Sequence, residues 1–212
     1  MLILGAGGFA TELLQNFSSE EKQNLVFYDD VNLNSPNLVY QRFPILRNLE
    51  AAKDYLESSD HRFFLGLGIP NLRLKLQEKF SKIGGQLMSS ISNKAIIGNY
   101  NVSIGDGCTV LANAVISNSV KLGKGCLVYY NVNITHDCII EDFVELSPGV
   151  ILLGNVKVGA FTSIGANATV LPGIKIGKNV TVGAGTVVTK SLPDNCVAVG
   201  VPAKIIKIRN GS

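Results

Sequence analysis

Two kinds of hydrophobic spacing divide this chain. From Ile104 to Val188, every sixth residue is Leu, Ile or Val, at all fifteen positions. The residue two before each of these, from Val102 to Thr186, is Val, Cys, Ala, Thr or Ile throughout. A period of six fits neither an α-helix, which repeats near 3.6, nor a free strand, which alternates every second residue. It fits a solenoid whose short strands each turn one aliphatic and one smaller side chain inward. Three such faces close a triangular coil, so residues eighteen apart stack at strand spacing, about 4.8 Å. Gly105, Gly123, Gly159, Gly165, Gly177 and Gly183 directly follow inward aliphatics. There the chain turns a corner, and glycine is expected to supply positive φ.

Before the repeat the pattern alternates between short apolar runs and helical spacing. Leu2–Leu4 reads as a buried strand, residues 5–8 as a turn, and 11–17 as the start of a helix. A strand at 25–28, a helix at 49–58, a strand at 62–67 and a helix at about 71–83 follow. This predicts a small Rossmann-like α/β domain with a three-stranded parallel sheet over residues 1–84, too short for a full dinucleotide-binding sheet. A linker is expected at 85–92 and the solenoid over 93–212.

Composition narrows the chemistry. Hydrophobic residues make up 46% of 212 positions, enough for a sizeable core. Lys and Arg exceed Asp and Glu by only three, there is no basic run and aromatics are sparse, which disfavours nucleic acid as a partner. No apolar run reaches membrane-spanning length, and residues 1–10 lack the basic start of a signal peptide. A cytoplasmic protein handling small molecules is therefore expected. Cys108, Cys126, Cys138 and Cys196 lack C-x-x-C spacing and read as structural thiols, three of them inside the solenoid.

Three features carry candidate chemistry. Gly5-Ala6-Gly7-Gly8-Phe9-Ala10 fits G-x-G-x-x-A between a strand and a helix, with Asp29-Asp30 after the next strand. Such glycines let a phosphate reach backbone N–H groups, and a carboxylate after the second strand can accept ribose or base hydrogen bonds. A glycine turn serving only helix packing, and strand-end carboxylates facing water, are the competing readings. His136 follows the inward Ile134 by two and so points outward, with Asp137 beside it to fix a tautomer. A base and a plain surface histidine are both open from the residues alone. His61, between Asp60 and Arg62, reads as a surface residue. Gly154 lies eighteen residues after His136 and out of phase with the corner glycines. It leaves a gap beneath the imidazole and an approachable N–H for a developing oxyanion. Ala166, Ala184 and Pro202 follow at eighteen-residue steps and fit a groove of small residues.

With these residues the chain resembles the bacterial hexapeptide-repeat acetyltransferases, left-handed parallel β-helix enzymes that modify nucleotide-linked amino sugars and sialic acids. The resemblance rests on the Gly5–Ala10 turn, Asp29-Asp30, His136-Asp137, Gly154-Asn155 and the terminal Val199-Gly200-Val201-Pro202-Ala203-Lys204. It implies His136 as general base with Asp137 as its acidic partner, acting on acetyl-CoA held between adjacent β-helices of a homotrimer. It further implies nucleotide-sugar contacts from Gly7, Gly8, Phe9, Asp29, Asp30 and Gly68, and an acetyl-CoA site at Gly154, Ala166 and Ala184. Where close relatives carry a second histidine against acetyl-CoA, this chain has Glu145. N-acetylation of a 4-amino-4,6-dideoxy sugar is the favoured activity. Sugar O-acetylation and a non-catalytic nucleotide-sugar scaffold are the alternatives. A zinc-dependent carbonic anhydrase of the same fold would need three histidines, and the repeat offers only His136, so no metal is expected.

Overall fold

The computed structural model describes residues 1–32 and 34–209, which form two compact units, Met1–Ser90 and Ile91 onward. In the first unit, β1 (Leu2–Leu4) is wholly buried and pairs in parallel with β2 (Val26–Tyr28). The helix α1 (Gly8–Glu12) begins three residues earlier than its hydrophobic pattern predicts, and a 3₁₀ turn at Leu13–Asn16 extends it. The hairpin β3 (Leu38–Val39) and β4 (Phe43–Leu46), which the pattern does not predict, adds two edge strands, β4 parallel to β2. Then come α2 (Leu49–Ser58), capped by the Asn48 side chain on the Ala51 N–H at 2.8 Å, β5 (Arg62–Leu65) and α3 (Pro70–Lys82). A last strand, β6 (Gln86–Leu87), pairs in parallel with β5.

The sheet order is β3-β4-β2-β1-β5-β6. Its centre, β2-β1-β5, is the three-stranded parallel core expected, while β3, β4 and β6 extend it at both edges. These short strands escaped notice because two- to four-residue segments with one buried side carry little periodicity. Gln86–Leu87 falls within the stretch expected to be linker, so part of that stretch is sheet.

From Ser103 to Val188 the second unit is a stack of two-residue strands in three parallel sheets, with partners eighteen residues apart, such as Asn133 with Ile151 and Glu145 with Ser163, and a final antiparallel pair, Cys196–Val199 with Lys204–Ile208, ends one sheet. From Val110 to Val188, every sixth-residue aliphatic is at most 3% exposed, and Cys108, Cys126, Cys138 and Cys196 are buried among them as free thiols. The outward rows of the three faces differ. One carries Val115, Asn133, Ile151, Thr169 and Val187, half-buried. The next carries Lys121, Ile139, Lys157 and Lys175, all exposed, and the third includes Glu145, Ser163 and Thr181.

Two corner expectations need correction. Glycines such as Gly105 and Gly159 do not have positive φ. A Cβ on Gly159 would stand 2.6 Å from the Gly177 carbonyl carbon, so this glycine serves close approach of stacked backbones. The left-handed residues lie two later, at every sixth position from Asn101 to Gly185, and most are Asn or Gly, which tolerate that conformation. The eighteen-residue step also fails at the end. Thr181 pairs with Val197 and Asn179 with Asn195, sixteen residues on, so Pro202 does not continue the column of Ala166 and Ala184.

Candidate active site

His136 and Asp137 occupy the corner between the Asn133–Ile134 strand and the Ile139–Ile140 strand. Asp137 is one of the left-handed residues, φ 60°, in the stacked row Asn101, Ser119, Asp137, Asn155 and Gly173. Its N–H donates to the Asn118 carbonyl at 3.2 Å, and the His136 carbonyl accepts from the Asn155 N–H at 3.0 Å, so coils on both sides pin this corner. The backbone turn aims the Asp137 carboxylate back at its neighbour, and Oδ2 lies 2.8 Å from His136 Nδ1. A carboxylate only accepts, so in the neutral imidazole this bond selects the tautomer with the proton on Nδ1 and the lone pair on Nε2.

The imidazole lies directly against Gly154 on the next coil. A Cβ there would meet His136 Cε1 at 2.4 Å and Nε2 at 2.6 Å, so only glycine leaves room for the ring. The Gly154 carbonyl accepts from the Gly173 N–H at 2.9 Å, whereas its own N–H meets no acceptor among the described residues. The imidazole thus rests on a residue whose N–H has no acceptor among the described residues, and a base and an oxyanion donor are the two groups an acyl transfer requires.

The acetyl-CoA candidates stand elsewhere on the coil. Ala166 and Ala184 stack in the corner after the Ser163–Ile164 and Thr181–Val182 strands, joined by a Gly185 N–H bond to the Ala166 carbonyl at 2.8 Å. Glu145 accepts from the Ser163 hydroxyl at 3.2 Å on the face that leads into that corner. The Ala166 corner and the His136 corner are the two edges of the face bearing Asn133. One chain therefore does not gather His136, Glu145, Ala166 and Ala184 into a single cluster.

In the first unit, a cavity of about 450 Å³ opens at the carboxyl ends of β1, β2 and β5. Gly5, Ala6, Gly7, Tyr28–Asn32, Leu67 and, from α3, Leu72, Lys75 and Leu76 line it. Crevices of this kind bind ligands in parallel α/β sheets. The glycines divide by role. Gly5 has φ 102° and Gly66 would place a Cβ 2.7 Å from the Leu4 carbonyl, so packing requires both. At Gly7 and Gly8 the φ is ordinary and the space is open, so nothing within the fold demands a glycine there. Phe9 packs partly against the domain core, and the Gly68 carbonyl accepts from the buried Arg73 guanidinium.

The two aspartates behave differently. Asp29 is buried, and its carboxylate accepts from the Val31 N–H at 3.0 Å and from both the backbone and side chain of Asn32 at 2.9 Å. Burial raises its pKa, but those hydrogen bonds and the Arg47 charge outweigh it and hold the carboxyl below the ordinary range. Asp29 therefore shapes the loop that walls the cavity. Asp30 is exposed, accepts from the Tyr28 hydroxyl at 2.7 Å and pairs with Lys79 at 2.9 Å. Its carboxyl also lies below the ordinary range, because these partners outweigh its desolvation. Lys75, Lys79, Arg73 and Tyr28 were not singled out from sequence, because lysines on a helix carry no motif. His61 is exposed and bonds Gln86 at 2.9 Å. Among the described residues no group of three His, Cys, Asp or Glu is placed to hold a metal ion, and no helix is long and apolar enough to cross a membrane.

Family models match both units. Residues 1–80 match the PglD N-terminal domain, 101–136 the hexapeptide repeat of succinyl-transferase, and 155–190 the bacterial transferase hexapeptide. PerB from Caulobacter crescentus, solved with CoA and GDP-perosamine, is 30% identical, with TM-score 0.86 over 97% of this chain and 96% of its own. The chain belongs to the hexapeptide-repeat, left-handed β-helix sugar acetyltransferases. Within that family, the acetyltransferase domain of PglB from Neisseria gonorrhoeae FA1090, solved with acetyl coenzyme A, is 28% identical. It matches with TM-score 0.85 over 97% of this chain and 98% of that one. A histidine-to-asparagine mutant of perosamine N-acetyltransferase from Caulobacter crescentus, also solved with CoA and GDP-perosamine, matches at TM-score 0.87, 29% identity, and 97% and 96% coverage. The curated galactoside O-acetyltransferase of Escherichia coli (strain K12) is 30% identical over 121 residues, 54% of this chain. The chain spans 48% of that relative's length.

Proposed function

We propose that this acetyltransferase transfers an acetyl group from acetyl-CoA to the amine of a nucleotide-linked 4-amino-4,6-dideoxy sugar. The observation that carries this reading is the His136 imidazole seated on Gly154 with Nδ1 bonded to Asp137. The neutral sugar amine attacks the thioester carbonyl, and the resulting oxyanion accepts from the Gly154 N–H. His136 Nε2 takes the proton from the attacking nitrogen, and Asp137 stabilises the imidazolium that forms. The thiolate of CoA then leaves and takes the proton from the His136 imidazolium, which restores the base, so no covalent enzyme intermediate is required. The complexes of the relatives, with CoA, acetyl-CoA and GDP-perosamine, support both substrates.

In this reading the open glycines Gly7 and Gly8, with Phe9, Asp29, Asp30 and Gly68, border the nucleotide-sugar site at the mouth of the α/β crevice. Glu145, Ala166 and Ala184 border acetyl-CoA. Because the Ala166 and His136 corners edge one half-buried face, a closed ring of three chains would bring one chain's His136 edge to its neighbour's Ala166 edge. In this reading the protein is a homotrimer with intersubunit sites, acting in the cytoplasm. Sedimentation showing a monomer at assay concentration would remove this part of the reading.

The test is acetyl-CoA consumption against a panel of UDP-, GDP- and dTDP-linked amino sugars, with hydroxyl-bearing sugars and sialic acid alongside. An amino sugar is expected to be turned over, and His136→Ala is expected to lose about 10²- to 10⁴-fold. Turnover of a hydroxyl sugar alone would establish O-acetylation, which the galactoside O-acetyltransferase likeness favours. Full activity of His136→Ala would refute the base.

A further inference from the structure

Resting on that reading, we infer that the buried Cys138 is a positioning residue that aims the Gly154 N–H at the reacting carbonyl. Cys138 is the residue after Asp137, fully buried inside the prism, and the catalytic scheme makes no use of its thiol. Its Sγ lies 3.3 Å from the Leu153 carbonyl oxygen, closer than the 3.7 Å to the His136 carbonyl. The Leu153 carbonyl and the Gly154 N–H belong to one peptide unit. In a planar trans peptide they point in opposite directions, so a bond that holds the carbonyl inward holds the N–H outward, on the His136 side. Donation to the carbonyl also polarises the peptide and strengthens its N–H as a donor. Among the described residues no backbone N–H bonds to the Leu153 carbonyl, whose partner is the thiol. Burial pushes the Cys138 pKa up, and the thiol keeps the proton it donates.

The same device recurs away from the site, which supplies an internal control. Cys108 donates to the Gly123 carbonyl at 3.0 Å, Cys126 to the Glu141 carbonyl at 3.0 Å, and Thr162 to the Gly177 carbonyl at 2.8 Å, each across fifteen residues. Thr162 shows that a hydroxyl makes this bond. Val120, Val144 and Val156 fill the equivalent inward position, so the coil closes around a valine that makes no such bond. The fold accepts both residues, and only at Cys138 does the bonded peptide carry the oxyanion donor.

The experiment compares Cys138→Thr with Cys138→Val, which share shape and differ in the donor, and repeats the pair at Cys126. Initial rates are taken over ranges of acetyl-CoA and of the sugar accepted by the wild type, with thermal melting of each variant. Removing an oxyanion donor outright costs about 10²- to 10³-fold in kcat, and losing only its aim is expected to cost about tenfold. Cys138→Val should therefore fall about tenfold in kcat below Cys138→Thr with KM nearly unchanged, while the Cys126 pair stays equal. Equal kcat in the Cys138 pair, or an equal drop in both pairs, would overturn the inference. If Cys138→Val does not fold, valine is not tolerated there as at Val120, and the inference falls with that premise. His136→Ala is run in parallel: its full activity would refute the base assignment itself, whereas its loss together with an equal Cys138 pair would refute only the role of the thiol.

Discussion

Replacing Gly154 by alanine separates chemistry from folding at this site. The new Cβ would lie 2.4 Å from His136 Cε1, 2.6 Å from Nε2 and 3.2 Å from Nδ1. Carbon atoms pack best near 3.5–4.0 Å, so the ring must withdraw by about 1 Å. Nothing else must move, since Gly154 does not sit in the left-handed region and alanine fits its backbone. The imidazole side chain is 62% exposed, so it can swing into water at little cost in stability. That motion stretches its bond to Asp137 and carries Nε2 away from the reacting amine. Misplacement of about 1 Å costs roughly 10²-fold in rate, about 2.7 kcal/mol in the barrier. The assay is thiol release from acetyl-CoA, with melting followed by circular dichroism. The expected result is kcat/KM down about 100-fold with Tm shifted by no more than about 2 °C. Activity within about threefold of wild type would refute the stacking argument, and a large fall in Tm would refute the claim that only the ring yields.

Asp137→Asn keeps a residue that tolerates φ 60° and should fold normally. Its activity should fall, less than in His136→Ala, because the amide neither enforces the tautomer nor balances the imidazolium. Calorimetric titration with the nucleotide sugar should show weaker binding for Gly8→Val at unchanged Tm, since that space is open. Gly66→Ala should instead lower Tm, its Cβ lying 2.7 Å from the Leu4 carbonyl and 2.8 Å from the Ala10 side chain. Acid should loosen the first unit. Asp60, through the Arg62 side chain against its own burial, and Asp29 have folded pKa values below the ordinary carboxylate value. Their charged forms therefore stabilise the fold fully above about pH 4. That contribution is lost as the pH falls through the folded values. Melting curves from pH 7 to pH 2.5 should be flat down to about pH 4 and then decline. A decline centred near pH 6 would point to a different group.

The residues that make the coil were readable because each coil repeats the same local environment, and translation by eighteen residues turns a three-dimensional contact into a spacing. That is why the stacking of His136 on Gly154 is legible in the sequence; in the first unit the helix at 49–58 lies where its pattern puts it, while the strand expected at 62–67 ends at Leu65. The same regularity carries a second signal. Thirteen of the fifteen left-handed positions from Asn101 to Gly185 are Asn, Asp, Ser or Gly, and Phe143 and Phe161 are the exceptions. Asp137 belongs to that row, so its residue type answers to the backbone as well as to the imidazole.

By itself, then, the sequence determined the solenoid, its inward residues, the parallel centre of the first sheet and the pairing of His136 with Gly154. Only the tertiary structure decided which glycines serve close approach and which leave open space. It also fixed where the final coil shortens to sixteen residues, and that Asp29 is occupied by its own loop while Asp30 faces Lys79. It alone set the Cys138 thiol under the Leu153 carbonyl. The physical reason is common to all of these. A repeated spacing reports contacts that every coil makes alike, whereas a hydrogen-bond partner, a steric gap or a shortened turn depends on groups that meet once, at separations no period encodes.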